Sequence, residues 1–297
     1  MRYVLAISGG IDSVVLLDKT ATDLDFRRNS FNDAIWPTDF TVAHFDHGIR
    51  PDSVQDAEFV AKLAKGYRLN FVTERADLGK SASELTARTA RYSFLNRVAL
   101  GLNGQIVTAH HQDDLIETVI INLIRGTGWR GLAPMKSDIV RPMLNMNKAE
   151  ITSYAINHNL NWRDDSTNYS AKYLRNRVRN MLDKIPQSEK MKIADLYYAQ
   201  SKLRTDIDKE VEYAVQKNIV IDSDYIKISR YYLIMLPSAV AVEIINYLTN
   251  YKLTGPQLRQ ILLFTKTALA NKNLEFKEIK IHATKREIMI QVIRPGC

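Results

Sequence analysis

Cysteine is almost absent: the only one among 297 residues is Cys297. Disulfide frameworks, zinc knuckles and Cys-ligated iron–sulfur clusters each need several thiolates, so all three are excluded. The shortage fits a reducing compartment, and a cytoplasmic protein is expected. Long apolar runs are lacking too. The most apolar stretch, residues 231–242, is broken by Pro237 and stops at Glu243, too short to cross a bilayer. Arg2 leads directly into Val4, Leu5, Ala6 and Ile7 with no cleavage-like stretch, so no signal peptide is expected. No internal repeat or low-complexity tract occurs. The expectation is a soluble chain without a membrane partner.

The composition is otherwise that of a globular protein, 45% hydrophobic and 25% charged, long enough for one large or two modest domains. The 41 basic residues outnumber 33 acidic ones, for a net charge of +8. The surplus falls on both sides of residue 190, a distribution that suits a polyanionic partner.

Short β-rich apolar runs at 3–7, 40–45, 70–74, 105–109 and 139–141 alternate with helical patterns near 12–20, 52–68, 83–101, 112–124 and 147–159. Strands alternating with helices read as βαβ units, hence an α/β fold with a doubly wound parallel sheet. Ligands of such sheets sit at the carboxyl ends of the strands. Near Ile185-Pro186 the pattern changes. Residues 189–217 read as a charged helix, followed by helices at 238–250 and 255–270 and β-like runs at 278–282 and 288–293. A catalytic domain over 1–190 and a second, smaller α/β domain over 191–297 are expected.

The densest chemical signal follows the first strand: Ser8-Gly9-Gly10-Ile11-Asp12-Ser13, opening a helix. Glycines let the backbone turn tightly and bring amides close to a ligand, the serines add hydroxyl donors, and the helix aims its positive end at the same spot. Asp12 would repel a phosphate directly but suits magnesium, which bridges carboxylate and phosphate oxygens. The competing reading is a plain strand–turn–helix corner. A kinase-type P-loop is excluded, because the only Gly-Lys-Ser, at 79–81, has Glu74 where the first glycine belongs.

Two further strings fall at strand ends. The second strand runs into His44-Phe45-Asp46-His47-Gly48-Ile49-Arg50, and the fourth into Ala109-His110-His111-Gln112-Asp113-Asp114-Leu115-Ile116-Glu117-Thr118. Any one of these histidines could be a satisfied core residue; four of the chain's six at strand ends point to a site. Asp113 or Asp114 could hold magnesium opposite Asp12. Asp113 and Glu117, four apart, share a helical face and would suit an ammonium or a metal, or else complement the helix dipole. Arg175, Arg177 and Arg179 cannot share one face; some fit phosphate oxygens, or all form a solvated basic surface.

The SGGxDS string resembles the signature of PP-loop ATP pyrophosphatases, which cleave ATP between its α and β phosphates, pass AMP to a carbonyl oxygen and let a nucleophile displace it. Within that family the chain is similar to the lysidine synthases. The similarity rests on the strings above, on Ala87-Arg88-Thr89-Ala90-Arg91-Tyr92, Arg141-Pro142-Met143 and Trp162–Asn168, and on Arg175-Asn176-Arg177-Val178-Arg179. It is dense over residues 1–182. Residues 225–293 resemble the family's first C-terminal domain, and no counterpart of the second is seen.

The resemblance implies that ATP and Mg2+ are used to activate the wobble cytidine in the CAU anticodon of tRNA(Ile), and that free L-lysine displaces AMP. The ATP-binding set is then Ser8, Gly9, Gly10, Ile11, Asp12 and Ser13, with His44 and His110. Asp12, Asp113, Asp114, Glu117 and Arg177 form the catalytic set, with Asp12 and Asp113 on the metal. Arg88, Arg91, Arg125, Arg175 and Arg179 are left to grip tRNA or phosphate. Oligomeric state stays open, a homodimer among the options. Sulfur transfer to tRNA is disfavoured by the single thiol, whereas a small-molecule amide synthetase and a non-catalytic tRNA-binding module remain as rivals.

Overall fold

Along the first strand, β1 (Arg2–Ala6), Tyr3 and Leu5 face one side and Val4 the other, and all three are buried. A strand covered on both faces belongs inside a layered α/β sheet. The first face packs with Val15, Leu16 and Leu17 of α1 (Ile11–Thr22), which is followed by α2 (Leu24–Ser30). The same core takes in Phe40 and Val42 of β2 (Phe40–Asp46) and Val60 and Ala64 of α3 (Ser53–Gly66). After β3 (Asn70–Arg75), α4 (Glu84–Leu102) covers the opposite face, where Phe94, Leu95 and Ala99 meet Val4, Ala43 and Ile106. Then come β4 (Gly104–Thr108), α5 (Gln112–Ile124), α6 (Lys148–Asn157), α7 (Leu174–Leu182) and the long α8 (Gln187–Asn218).

The structure is a computed structural model that describes residues 2–31, 36–48, 53–79, 83–135, 139–163, 174–222 and 225–292. By contacts the chain divides into two units. The first holds Met1–Thr127 and Gly131–Tyr198, the second Gly128–Arg130 and Ala199–Cys297.

Among the described residues the first unit's sheet has four parallel strands in the order β3-β2-β1-β4. The chain leaves β1 towards β2 and β3, then returns to β4 on the other side of β1. The carboxyl ends of β1 and β4 therefore flank the point where the winding reverses, and a doubly wound sheet opens its ligand crevice there. The β-like run at 139–141 does not become a full strand. Val140 makes a single parallel bridge to Val107, and Pro142, which lacks an N–H, cannot extend the ladder. The helix α2 was not anticipated; Asp23 starts it by accepting the Phe26 amide at 2.9 Å.

In the second unit, β5 (Val220–Ile221), β6 (Ile226–Ser229), α9 (Arg230–Met235), α10 (Ser238–Leu248), α11 (Gly255–Thr267), β7 (Lys272–Phe276), β8 (Ile279–Ala283) and β9 (Glu287–Val292) follow in turn. The sheet is antiparallel, ordered β5-β6-β9-β8-β7. Ile279, Ile281, Ile288 and Ile290 alternate onto one face and pack with Ile244 and Ile245 of α10 and Ile261 of α11. Among the described residues no helix is long and apolar enough to cross a membrane.

Candidate active site

The turn after β1 is organised around one hydroxyl. Ser13 Oγ accepts the amides of Ser8 at 3.2 Å and Gly9 at 3.1 Å, and donates to the Gly10 carbonyl at 2.8 Å. Gly9 has φ of 95°, where a Cβ would be strained, and Gly10 caps α1 without a side chain of its own. The sequence reading made Ser13 a hydroxyl donor to the ligand. In the structure Ser13 is buried and its hydroxyl bonds within the loop itself. It holds the turn in shape for the amides that open α1.

A second loop meets this turn from β4. His111 caps α5, and its amide donates to Asp114 Oδ2 at 3.2 Å. Its ring is 5% exposed and lies among three carboxylates, Asp12 at 3.8 Å, Asp113 at 3.6 Å and Asp114 at 3.5 Å. Burial alone would lower the His111 pKa; the three acids together reverse that and raise it above its ordinary 6.5. His110 goes the other way. Burial, with Arg141, Arg88 and Arg91 adding to it against Asp114, brings it down to about 4, so it is neutral at physiological pH. For Asp113, burial opposes ionisation, but His111, the Lys148 amide and Lys190 hold its pKa down at about 2. His44 is buried and donates from Nδ1 to the Ile7 carbonyl at 2.9 Å, with burial pushing its pKa down.

Glu117 is 2% exposed and already occupied. Arg179 grips it with two bonds, Nε to Oε1 at 2.6 Å and Nη2 to Oε2 at 3.1 Å, and Arg175 Nε stands 3.4 Å from Oε2. Burial pushes the Glu117 carboxyl up, while this fork geometry holds it as an ion pair. Glu117 was expected to take an incoming ammonium with Asp113; here it is partnered by arginines. Its charge instead fixes Arg179, which also lies 3.7 Å from Asp114. Arg175 and Arg179, one turn apart on α7, reach the same acid, and Arg177 between them is exposed.

These groups line a cavity of about 1000 Å³ that lies wholly within the first unit. Ser8, Gly10, Ile11, Asp12, Ser13, His44, His110, Asp113, Asp114, Glu117, Arg91 and Arg179 all face it. Arg177, Arg175, Arg88 and Arg125 are not on its wall. Arg88 and Arg125 are exposed, and Arg88 stacks on the Tyr92 ring at 4.8 Å. Of the Trp162–Asn168 string, Trp162 and Arg163 line the cavity and residues 164–168 lie outside the described residues.

Several wall residues stood outside the predicted set, and three of them are cations that touch the site's acids or its turn. Lys148 Nζ donates to Asp12 Oδ1 at 2.5 Å, and its amide donates to Asp113 Oδ2 at 2.8 Å. Lys190 Nζ lies 3.7 Å from Asp113. Arg163 donates its amide to the Gly9 carbonyl at 3.0 Å and pairs with Asp56. Two of the three had a signal: Arg163 lies in the Trp162–Asn168 string, and Asn147 and Glu150 form a capping box that places Lys148 first in a helix.

Among the described residues no cluster of three or more His, Cys, Asp or Glu forms a metal site. The pair Asp12 and Asp113 nevertheless fits magnesium, which prefers hard oxygens and takes few protein ligands when phosphate and water supply the rest. Both carboxylates are partly open to the cavity.

A PP-loop domain matches residues 1–185. The tRNA(Ile)-lysidine synthase of Thermotoga maritima is 34% identical over 239 residues, 75% of this chain and 55% of that protein. The tRNA(Ile)-lysidine synthase of Wolbachia pipientis wMel is 37% identical over 193 residues, 61% of this chain and 43% of that protein. The chain thus spans about half the length of the curated relatives it matches. A solved U34-tRNA thiolase of Methanococcus maripaludis is similar in fold, with a TM-score of 0.54 and 16% identity over 68% of this chain and 72% of that one. With its glycine turn at the end of β1, its acidic loop at the end of β4 and 185 matched residues, this chain belongs to the PP-loop domain family.

Proposed function

We propose that the chain is a cytoplasmic ligase that uses ATP to adenylate the wobble cytidine in the CAU anticodon of an isoleucine tRNA, and that lysine then displaces AMP to form lysidine. The observation that carries this reading is the meeting of two strand ends, where the Ser13-centred turn and the His111–Asp113–Asp114 loop face one cavity. The likeness to curated lysidine synthases supports the choice of substrate.

The carbonyl oxygen on a pyrimidine is a poor leaving group, and adenylation turns it into a good one. Negative charge then develops on the phosphates, where the amides that open α1 and the cavity arginines Arg91 and Arg179 stabilise it. Glu117 positions Arg179 for this. Asp12 and Asp113 would hold a magnesium ion, which when bound neutralises triphosphate oxygens.

The lysine ε-amine has an ordinary pKa near 10.4, so roughly one molecule in a few thousand is neutral at pH 7. The site must take the ammonium and remove its proton. Asp113 and Asp114 supply the negative field. His111, whose ring stands among Asp12, Asp113 and Asp114 at 3.5 to 3.8 Å, accepts the proton. The cytidine reaches the cavity by unstacking from the anticodon loop, where a single-stranded base can be splayed out at modest cost.

Incubation with labelled lysine, ATP and total tRNA, followed by digestion to nucleosides, tests the reading. Label on a single modified cytidine is expected. Pyrophosphate released with a small acid substrate and no tRNA would make the chain a small-molecule amide synthetase. With no pyrophosphate under any condition, the chain would be a binding module.

A further inference from the structure

Lys148 joins the two carboxylates assigned to the metal, yet it comes from a third element. Its backbone is clamped: the Gln112 amide donates to the Met146 carbonyl at 2.9 Å, the Lys148 amide donates to Asp113, and the Asn147–Glu150 capping box holds the first turn of α6. Its side chain is a different matter. It is 46% exposed, lies along the cavity wall and ends on Asp12 Oδ1, at the mouth of the phosphate turn. An ammonium on a flexible four-carbon stem can exchange one oxygen partner for another while its Cα stays fixed.

The turn beside it is built for an anion far more charged than a single carboxylate. When a triphosphate enters, its oxygens compete with Asp12 for Lys148 Nζ, and Asp12 regains a free carboxylate oxygen. We propose that Lys148 is a hand-over cation. It neutralises Asp12 while the turn is empty of nucleotide, then moves to the triphosphate and releases Asp12 to the divalent ion. The inference rests on the adenylation reading only through the phosphate turn and the metal pair, not through tRNA or lysine.

A hand-over cation and a structural tie give opposite results. In Lys148→Met the competing charge on Asp12 is gone while the amide bond to Asp113 remains. Mn2+ alone, titrated by electron paramagnetic resonance without nucleotide, should bind about threefold to fivefold tighter than to wild type, the scale of one half-exposed ion pair. ATP affinity in magnesium, read by displacement of a fluorescent ATP analogue, should fall about tenfold, the scale of one charge-assisted hydrogen bond. Lys148→Arg keeps the charge and should return both values towards wild type. If Lys148→Met weakens both, leaves either unchanged, or no longer folds, Lys148 is a tie and the proposal is overturned. Neither arm contains tRNA or lysine, so failure of the tRNA reading shows in the labelled-lysine assay alone.

Discussion

Asp18, on α1, is buried beneath two phenols. Tyr67 Oη donates to Oδ1 at 2.6 Å and Tyr154 Oη, from α6, donates to Oδ2 at 2.8 Å. The carboxylate thus ties α1 to α6 and to the end of α3, the elements that carry Asp12, Lys148 and the wall near Asp56. Burial, and then the bond to Asp18, raise the pKa of Tyr67, because the neutral phenol is the form that fits. A raised folded pKa means stability is fully present below the unfolded value near 10 and is lost as pH climbs through the folded one. Urea unfolding of the wild type should therefore show stability falling above about pH 10. Tyr67→Phe should be less stable at pH 7 by about 1 kcal/mol and should show a flatter alkaline limb. A wild-type profile that stays level to about pH 11 would contradict the network.

At the scale of elements, the phosphate turn owes its shape to the first turn of α1 rather than to its own hydroxyls pointing outward. Ser13 satisfies two amides and one carbonyl, so Ser13→Ala leaves buried donors without an acceptor, at a cost of about 2 kcal/mol. Ser8 is exposed, and Ser8→Ala should stay within about 0.5 kcal/mol. Paired denaturation curves measure the difference; equal losses would mean that Ser13 does not organise the turn. The same local logic explains α5 and α6. Each starts with a capping residue, His111 or Asn147, that sets the next side chains on the cavity wall.

Over the whole molecule, contacts assign Gly128–Arg130 to the second unit although the flanking chain belongs to the first. Within the second unit Arg130 pairs with Glu243 at 2.6 Å and Asp208 at 2.9 Å and stacks between Trp129 at 4.6 Å and Tyr251 at 4.8 Å. Trp129 Nε1 donates to the other oxygen of Glu243 at 2.9 Å. These acids are mostly buried, and Arg130→Met would take the guanidinium from both, leaving Glu243 with Trp129 and Asp208 with Tyr251 and Arg204. We expect the second unit to lose about 3 kcal/mol, the low end for breaking a buried pair. Hydrogen exchange should then accelerate in α10 while β1 keeps its protection; unchanged exchange in α10 would refute this role for Arg130.

The parallel α/β order, the turn at the end of β1 and the acidic loop at the end of β4 could be read along the chain, because strand period, glycine placement and helix caps are local properties. The partner each charge would choose could not be read. Spacing put Asp113 and Glu117 on one face of α5, but α7 brought Arg179 onto Glu117 from 62 residues away and left Asp113 to Lys148 and His111. Three arginines in five letters looked alike until packing turned two onto one acid and one to solvent. Electrostatic pairing depends on distance in space and on burial, and only the folded chain sets both.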